Sequence, residues 1–174
     1  GVGRSSKERC KLCRPYYDDK KEVIGYNHRV VAITVAGCAA TLPFDAEPYG
    51  PGDCEYNAGQ RLLERAVKHL GKRFADYVVV DGEFATAPFL HAAGNMGLYA
   101  VARLKDNLPE LLGQARERFE NTPPHLTFQD GNDFIEMWDA DDFDPWETLR
   151  WPTVRVFRYR QHKPDGTVMD ACWL

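Results

Sequence analysis

Residues 77–82 read YVVVDG, four strand-forming residues running straight into an acid and a glycine, with a helical pattern on either side. Upstream, Leu62, Leu63, Ala66, Val67 and Leu70 make a one-sided apolar stripe that Gly71 closes. Downstream, APFLHAAGNMG follows Thr86, a helix-capping residue type, and LYAVARLK (98–105) is a further strand. A strand–helix–strand order of this kind sets two strands parallel, and parallel strands are normally covered on both faces. That pattern alone points to the α/β class.

The flanking segments extend it. HRVVAITVAG (28–37) is a continuous β-branched run and predicts a central strand buried on both faces. ATLPFDAE (40–47) is a weaker strand, pushed to an edge or a strand start by Pro43. Asp53 is the expected cap of the first helix. Asn107 and Glu110 have capping-box spacing ahead of a third stripe, Leu108, Leu111, Leu112, Ala115 and Phe119. After NTPPH the pattern turns to strands: LTFQ, DFIEMW, TVRVFRYRQH and TVMDACWL, with KPDG as a hairpin turn. The expected fold is therefore a mixed sheet flanked by helices, with a β-rich region at the C-terminal end. Three segments follow: a basic stretch with a CxxC (1–24), the α/β core (25–122) and the β-rich part (123–174). In open α/β sheets, functional groups gather beyond the carboxyl ends of strands, and Asp81 ends such a strand.

With 174 residues the chain is long enough for one sizeable core. No apolar run approaches the roughly 20 residues of a membrane span, and the polar start is no signal peptide, so a cytoplasmic protein without membrane contact is expected. The net charge of −4 argues against a uniformly basic, DNA-coating surface, but the charge is unevenly spread. Arg4, Lys7, Arg9, Lys11, Arg14, Lys20 and Lys21 crowd the start, while DGNDFIEMWDADDFDPWE (130–147) has no Lys or Arg. The acids Asp139, Asp141, Asp142 and Asp144 lack calcium-loop spacing and read as a solvated loop. Five irregularly spaced cysteines do not suit a disulfide framework. CKLC (Cys10, Cys13) is half a zinc site, which Cys38, Cys54, His28 or Cys172 would complete only if the fold brought them near; a reduced, incidental pair is the plainer reading.

Taken together, CKLCRPYY…YNHRVVAITVAG, PGDCEYNAGQRLLERAVKHLGKRFADYVVVDGEFATAPFL and GLYAVARLKDNLPELL resemble the catalytic domain of DDE-type insertion-sequence transposases. The resemblance runs through most of residues 10–112 and is strongest from Glu55 to Lys105. It implies a ribonuclease-H-like core with Asp81 as the second catalytic aspartate and a metal ligand, and residues from about 125 onward as a β-rich insertion. It also implies Mg²⁺ or Mn²⁺ in the intact enzyme, DNA (transposon ends and target) as partner, and a homodimer. The family's first aspartate and its final glutamate have no counterpart here, so the chain is expected to be a middle fragment, or a decayed or trimmed copy, inactive alone.

Phosphodiester cleavage builds charge on the entering and leaving oxygens, and two divalent ions about 3.5–4 Å apart stabilise both. One carboxylate holds such a pair poorly. The plain alternative for Asp81 is a turn former before Gly82, with Glu83 a solvent-facing turn residue. Arg103 and Lys105 end the next strand beside that crevice and are candidate phosphate contacts. Arg155, Arg158 and Arg160 alternate with Phe157 and Tyr159, a composition suited to backbone contact and base stacking, though an exposed hairpin strand shows it too. His28 would approach the Asp81 site from its strand, or serve as a hydrogen-bonded structural histidine. Beside the transposase reading stands a non-catalytic, domesticated or remnant domain that binds DNA or protein. An unrelated hydrolase is disfavoured by the lack of a GxSxG elbow or a phosphate loop.

Overall fold

Thirteen consecutive residues with a β-branched bias build the longest strand of the computed structural model, which describes residues 2–37 and 41–174. The chain divides into two units, Gly1–Asp76 with Ala92–Leu98, and Tyr77–His91 with Tyr99–Leu174. Among the described residues it is a mixed α/β protein with two sheets and three α-helices.

In the first unit, β1 (Val2–Ser5) and β2 (Arg14–Tyr17) flank the first half of β3 (Val23–Val35), and β4 (Leu42–Tyr49) pairs with its second half, all antiparallel. The second half of β3 is not buried on both faces as its sequence predicts. Val31, Ile33 and Val35 are half-buried, whereas Val30, Ala32 and Thr34 are exposed. The reason is that α1 (Glu55–Leu70) packs against the β3–β4 pair from one side. Of its expected stripe, Leu62, Leu63 and Ala66 are buried with Ala58, whereas Val67 is half-buried and Leu70 is exposed. Arg61 pairs with Glu47 at 2.8 Å and with Asp53 at 2.7 Å, and Arg65 pairs with Asp45 at 2.8 Å and with Glu47. Burying each leucine contributes about 1.5–3 kcal/mol, against about 0–1 kcal/mol for each partly exposed ion pair. The apolar stripe therefore holds α1 in place, and the ion pairs set its register. Asp53 does not cap the helix. Cys54 takes the N-cap position without a side-chain bond, because the Asp53 carboxylate is engaged by Arg61 and by the Cys54 N–H. Gly71, at φ +88°, ends the helix as expected.

In the second unit, β5 (Tyr77–Val80) lies parallel to β6 (Tyr99–Leu104). The antiparallel strands β7 (Leu126–Asp130), β8 (Asp133–Phe143), β9 (Val154–His162) and β10 (Val168–Trp173) complete a six-stranded sheet in the order β5-β6-β10-β9-β8-β7. Thus β3 and β5, expected in one mixed sheet, belong to two. β5 is an edge strand with Tyr77 and Val79 exposed, not the buried strand its composition predicts. The segment from Asp133 to Phe143, read partly as an acidic loop, is strand throughout, and two of its acids are paired with arginines: Asp139 with Arg155 of β9 and Asp142 with Arg118. The KPDG turn forms, with Lys163 N–H donating to the Thr167 carbonyl at 2.9 Å and Gly166 at φ +83°.

Helix α2 (Ala87–Asn95) follows a 3₁₀ turn at Gly82–Phe84, and α3 (Pro109–Glu120) buries Leu111, Leu112, Ala115 and Phe119. Thr86 precedes α2, but its buried hydroxyl has no hydrogen-bond partner and caps nothing. Leu108, not Asn107, holds the N-cap position of α3, with Pro109 opening the helix. No described helix is long and apolar enough to cross a membrane.

Candidate functional site

Among the described residues, two places gather side chains with chemistry: the end of β5, and the turn between β1 and β2.

At the end of β5, Asp81 caps the 3₁₀ turn by accepting the Gly82 N–H, and its carboxylate also pairs with the Lys105 ammonium from just beyond β6. Lys105 first, then the Gly82 N–H, holds the Asp81 carboxyl below its ordinary range. The carboxylate stays largely in solvent, with 57% of the side chain exposed. Gly82 is buried, and a Cβ there would lie 2.8 Å from the Arg103 carbonyl oxygen. Only glycine lets the β5 end approach β6 so closely. Asn107 fastens the same turn by donating from Nδ2 to the Gly82 carbonyl at 2.8 Å, which is the use to which its side chain is put instead of capping. The Asp-Gly pair is thus a tightly specified turn that presents one carboxylate.

That carboxylate is already matched by a cation. Among the described residues no trio of His, Cys, Asp and Glu converges on it. Mg²⁺ needs several hard oxygen ligands, and an ammonium against the one available carboxylate opposes a dication. The residues present at Asp81 do not by themselves fit a Mg²⁺ or Mn²⁺ pair.

The arginines expected at nucleic acid are distributed differently from one another. Arg103 lies over the Trp173 ring, 5.1 Å from its centroid, with a buried Nε lacking a partner. Arg155 is exposed and pairs with Asp139 at 2.7 Å. Arg160 pairs with Glu120 at 2.8 Å and lies over Trp138. Arg158 is 3% exposed, donates to Asp170 at 2.8 and 2.6 Å and to Glu120 at 2.7 Å, and stacks on Trp138. A buried guanidinium held by two carboxylates cannot reach a phosphate, so the expected DNA contact of Arg158 is corrected to an internal one. The alternation of arginines with aromatics in β9 is a real pattern, but at Arg158 and Arg160 it encodes a match to Asp170 on β10, which stands opposite Arg160 in register.

Between β1 and β2 the CKLC segment makes a turn closed by the Cys13 N–H donating to the Cys10 carbonyl at 3.0 Å. β3 delivers His28 to it. His28 Nε2 lies 3.2 Å from Cys10 Sγ and 3.4 Å from Cys13 Sγ, and the two sulfurs are 3.8 Å apart. Cys13 is buried and Cys10 exposed. The Arg9 N–H donates to Cys13 Sγ at 3.4 Å. That bond first, then the Cys10 backbone, with lesser help from His28 and against the cost of burial, lowers the Cys13 thiol to about 7.

The turn is anchored independently of these three residues. Arg14 donates to the carbonyls of Gly50 at 2.7 Å and Asp53 at 2.5 Å, and lies over the Tyr49 ring. At Gly50 a Cβ would lie 3.0 Å from the Lys11 carbonyl oxygen, so the β4–α1 turn closes directly onto the CxxC loop. Of the other expected completing residues, Cys54 and Cys172 do not join the cluster, and burial pushes the Cys172 thiol up. Cys38 lies outside the described residues. His28, read chiefly as a structural histidine, faces both thiols; the signal for it was its position at the start of a strand, which says nothing about what stands across from it.

No family model matches the chain, and no curated protein matches it.

Proposed function

We propose that this chain is part of the catalytic core of a DDE-type insertion-sequence transposase with a ribonuclease-H-like fold, in which Asp81 is one of the catalytic acids and DNA the substrate. One observation carries the reading. Asp81 ends a strand that runs parallel to its neighbour, the position where α/β sheets carry their ligands, and its carboxylate remains in solvent on a turn that only glycine permits. Arg103 and Lys105, from the neighbouring strand end, are the cations of that crevice; Arg155 and Arg160 remain candidate contacts to the nucleic-acid backbone. The homodimer and the DNA ends and target belong to the same reading.

Because the residues at Asp81 do not fit a divalent pair, no metal-dependent step follows from this chain alone. The chain incubated with supercoiled plasmid and Mg²⁺ or Mn²⁺ is expected to leave it uncut; robust nicking that disappears in Asp81→Asn would refute that. The transposase reading itself is tested in the full reading frame that encodes the chain. Asp81→Asn should abolish excision of the element, and unchanged excision would end the reading.

The Lys105–Asp81 ion pair favours a second reading, a domain that binds DNA or protein without chemistry. In that case Asp81→Asn would leave DNA affinity and its salt dependence unchanged in a frame that shows no excision at all.

A further inference from the structure

We propose that Cys10, Cys13 and His28 form a zinc site that clasps the β1–β2 turn to β3. This is independent of the transposase reading and rests on no part of it.

A tetrahedral Zn²⁺ with Zn–S near 2.3 Å and Zn–N near 2.0–2.1 Å sets its ligand atoms about 3.8 Å apart for two sulfurs and about 3.5 Å apart for sulfur and nitrogen. The sulfurs here are 3.8 Å apart, and the sulfur–nitrogen separations are 3.2 and 3.4 Å. The three donors therefore outline one face of a tetrahedron of the size zinc requires. A Cys10–Cys13 disulfide would need the sulfurs at about 2.0 Å, well inside their observed spacing.

Two thiols and an imidazole suit zinc, whereas Mg²⁺ and Ca²⁺ take oxygen. Imidazole Nε2, not Nδ1, is the atom that faces both sulfurs. The loop is also preorganised. The Arg14 anchor and the close approach at Gly50 hold the CxxC loop from the side of β4 and α1 without using any of the three donors. The Arg9 N–H directed at Cys13 Sγ is the kind of surrounding hydrogen bond that orients a metal-bound thiolate.

No fourth His, Cys, Asp or Glu among the described residues joins the group. The three protein ligands come from the β1–β2 turn and from β3, which makes the ion a cross-link between segments 15 and 18 residues apart in sequence. Clasping that turn to the strand is the role the geometry supports.

The test uses the purified, reduced chain. Zn²⁺ is added in excess, weakly bound ion is dialysed away, and retained metal is counted by elemental analysis; Co²⁺ is titrated in parallel to read coordination by absorption. One ion per chain is expected, with an intense tetrahedral Co²⁺ visible spectrum and a thiolate charge-transfer band. Exposed Cys10→Ser, with folding checked by circular dichroism, should weaken affinity at least about tenfold, since even outer partners of metal ligands cost that much. His28→Asn should weaken it and shift the Co²⁺ visible band, while Cys54→Ser and Cys172→Ser should retain full stoichiometry. A folded wild-type chain that retains no metal, or a Cys10→Ser chain that retains one ion with unchanged affinity, would overturn the proposal.

Discussion

The Cys10–Cys13–His28 cluster and the Asp81 turn differ in how many ligand atoms meet there. At the first, three ligand atoms from two segments lie within 4.8 Å of one another. At the second, one carboxylate already has an ammonium and a backbone N–H. Yet in sequence Asp81 is the more conspicuous, because it ends an unmistakable strand, and the CxxC is half of something. The difference teaches that a ligand site is defined by several donors that converge, and convergence depends on what the fold brings across.

Metal dependence is the sharpest way to break the comparison. Zn²⁺ held at 100 times its dissociation constant should stabilise the chain by about 2.7 kcal/mol, read as a raised urea midpoint, whereas millimolar Mg²⁺ should leave the midpoint unmoved. The reverse pattern would transfer the metal site from the cluster to Asp81.

Next in size is the specification of the Asp81 turn. Gly82→Ala forces a Cβ against the Arg103 carbonyl oxygen and should cost about 1–3 kcal/mol in chemical denaturation while zinc stoichiometry stays at one. A neutral substitution would mean that the turn is not tightly held. At the other site, Arg14→Ala strips the Gly50 and Asp53 carbonyls of their donor, with a cost of about 1–2 kcal/mol and weaker zinc retention. If retention is unaffected, the cluster does not depend on the loop anchor.

The smallest effect belongs to Lys105→Ala. The native Asp81 carboxyl is depressed chiefly by Lys105, so the pair contributes stability that is present above the ordinary carboxylate pKa and lost as pH falls through the lower native value. The variant should therefore be less stable by under about 1 kcal/mol at neutral pH, and the two melting curves should merge on acidification below about pH 4. A gap that persists in strong acid would mean that Lys105 acts through packing instead of charge.

Much of the architecture was legible in residue order. The stripes of α1 and α3, the parallel β5–β6 pair, the KPDG hairpin and the Gly71 stop all follow from local pattern. The misreadings share a cause. Val79 and Val30 look like core residues because their neighbours are β-branched, but exposure depends on which layer covers them. Asp53 and Asn107 have the right types and spacings to cap helices, yet Arg61 within the same helix and the Gly82 carbonyl from 25 residues back compete for those side chains. Arg158 reads as a surface cation until Asp170 and Glu120 close over it.

By itself, the sequence determined the kinds of element from β3 onward and their order, because these depend on propensity and periodicity within a dozen residues, whereas the need for glycine at 82 comes from the Arg103 carbonyl across from it. The tertiary structure alone decided that His28 stands over both thiols and that Asp81 is paired with Lys105. Such meetings depend on strand register and on the packing of distant segments, and no local pattern carries that information.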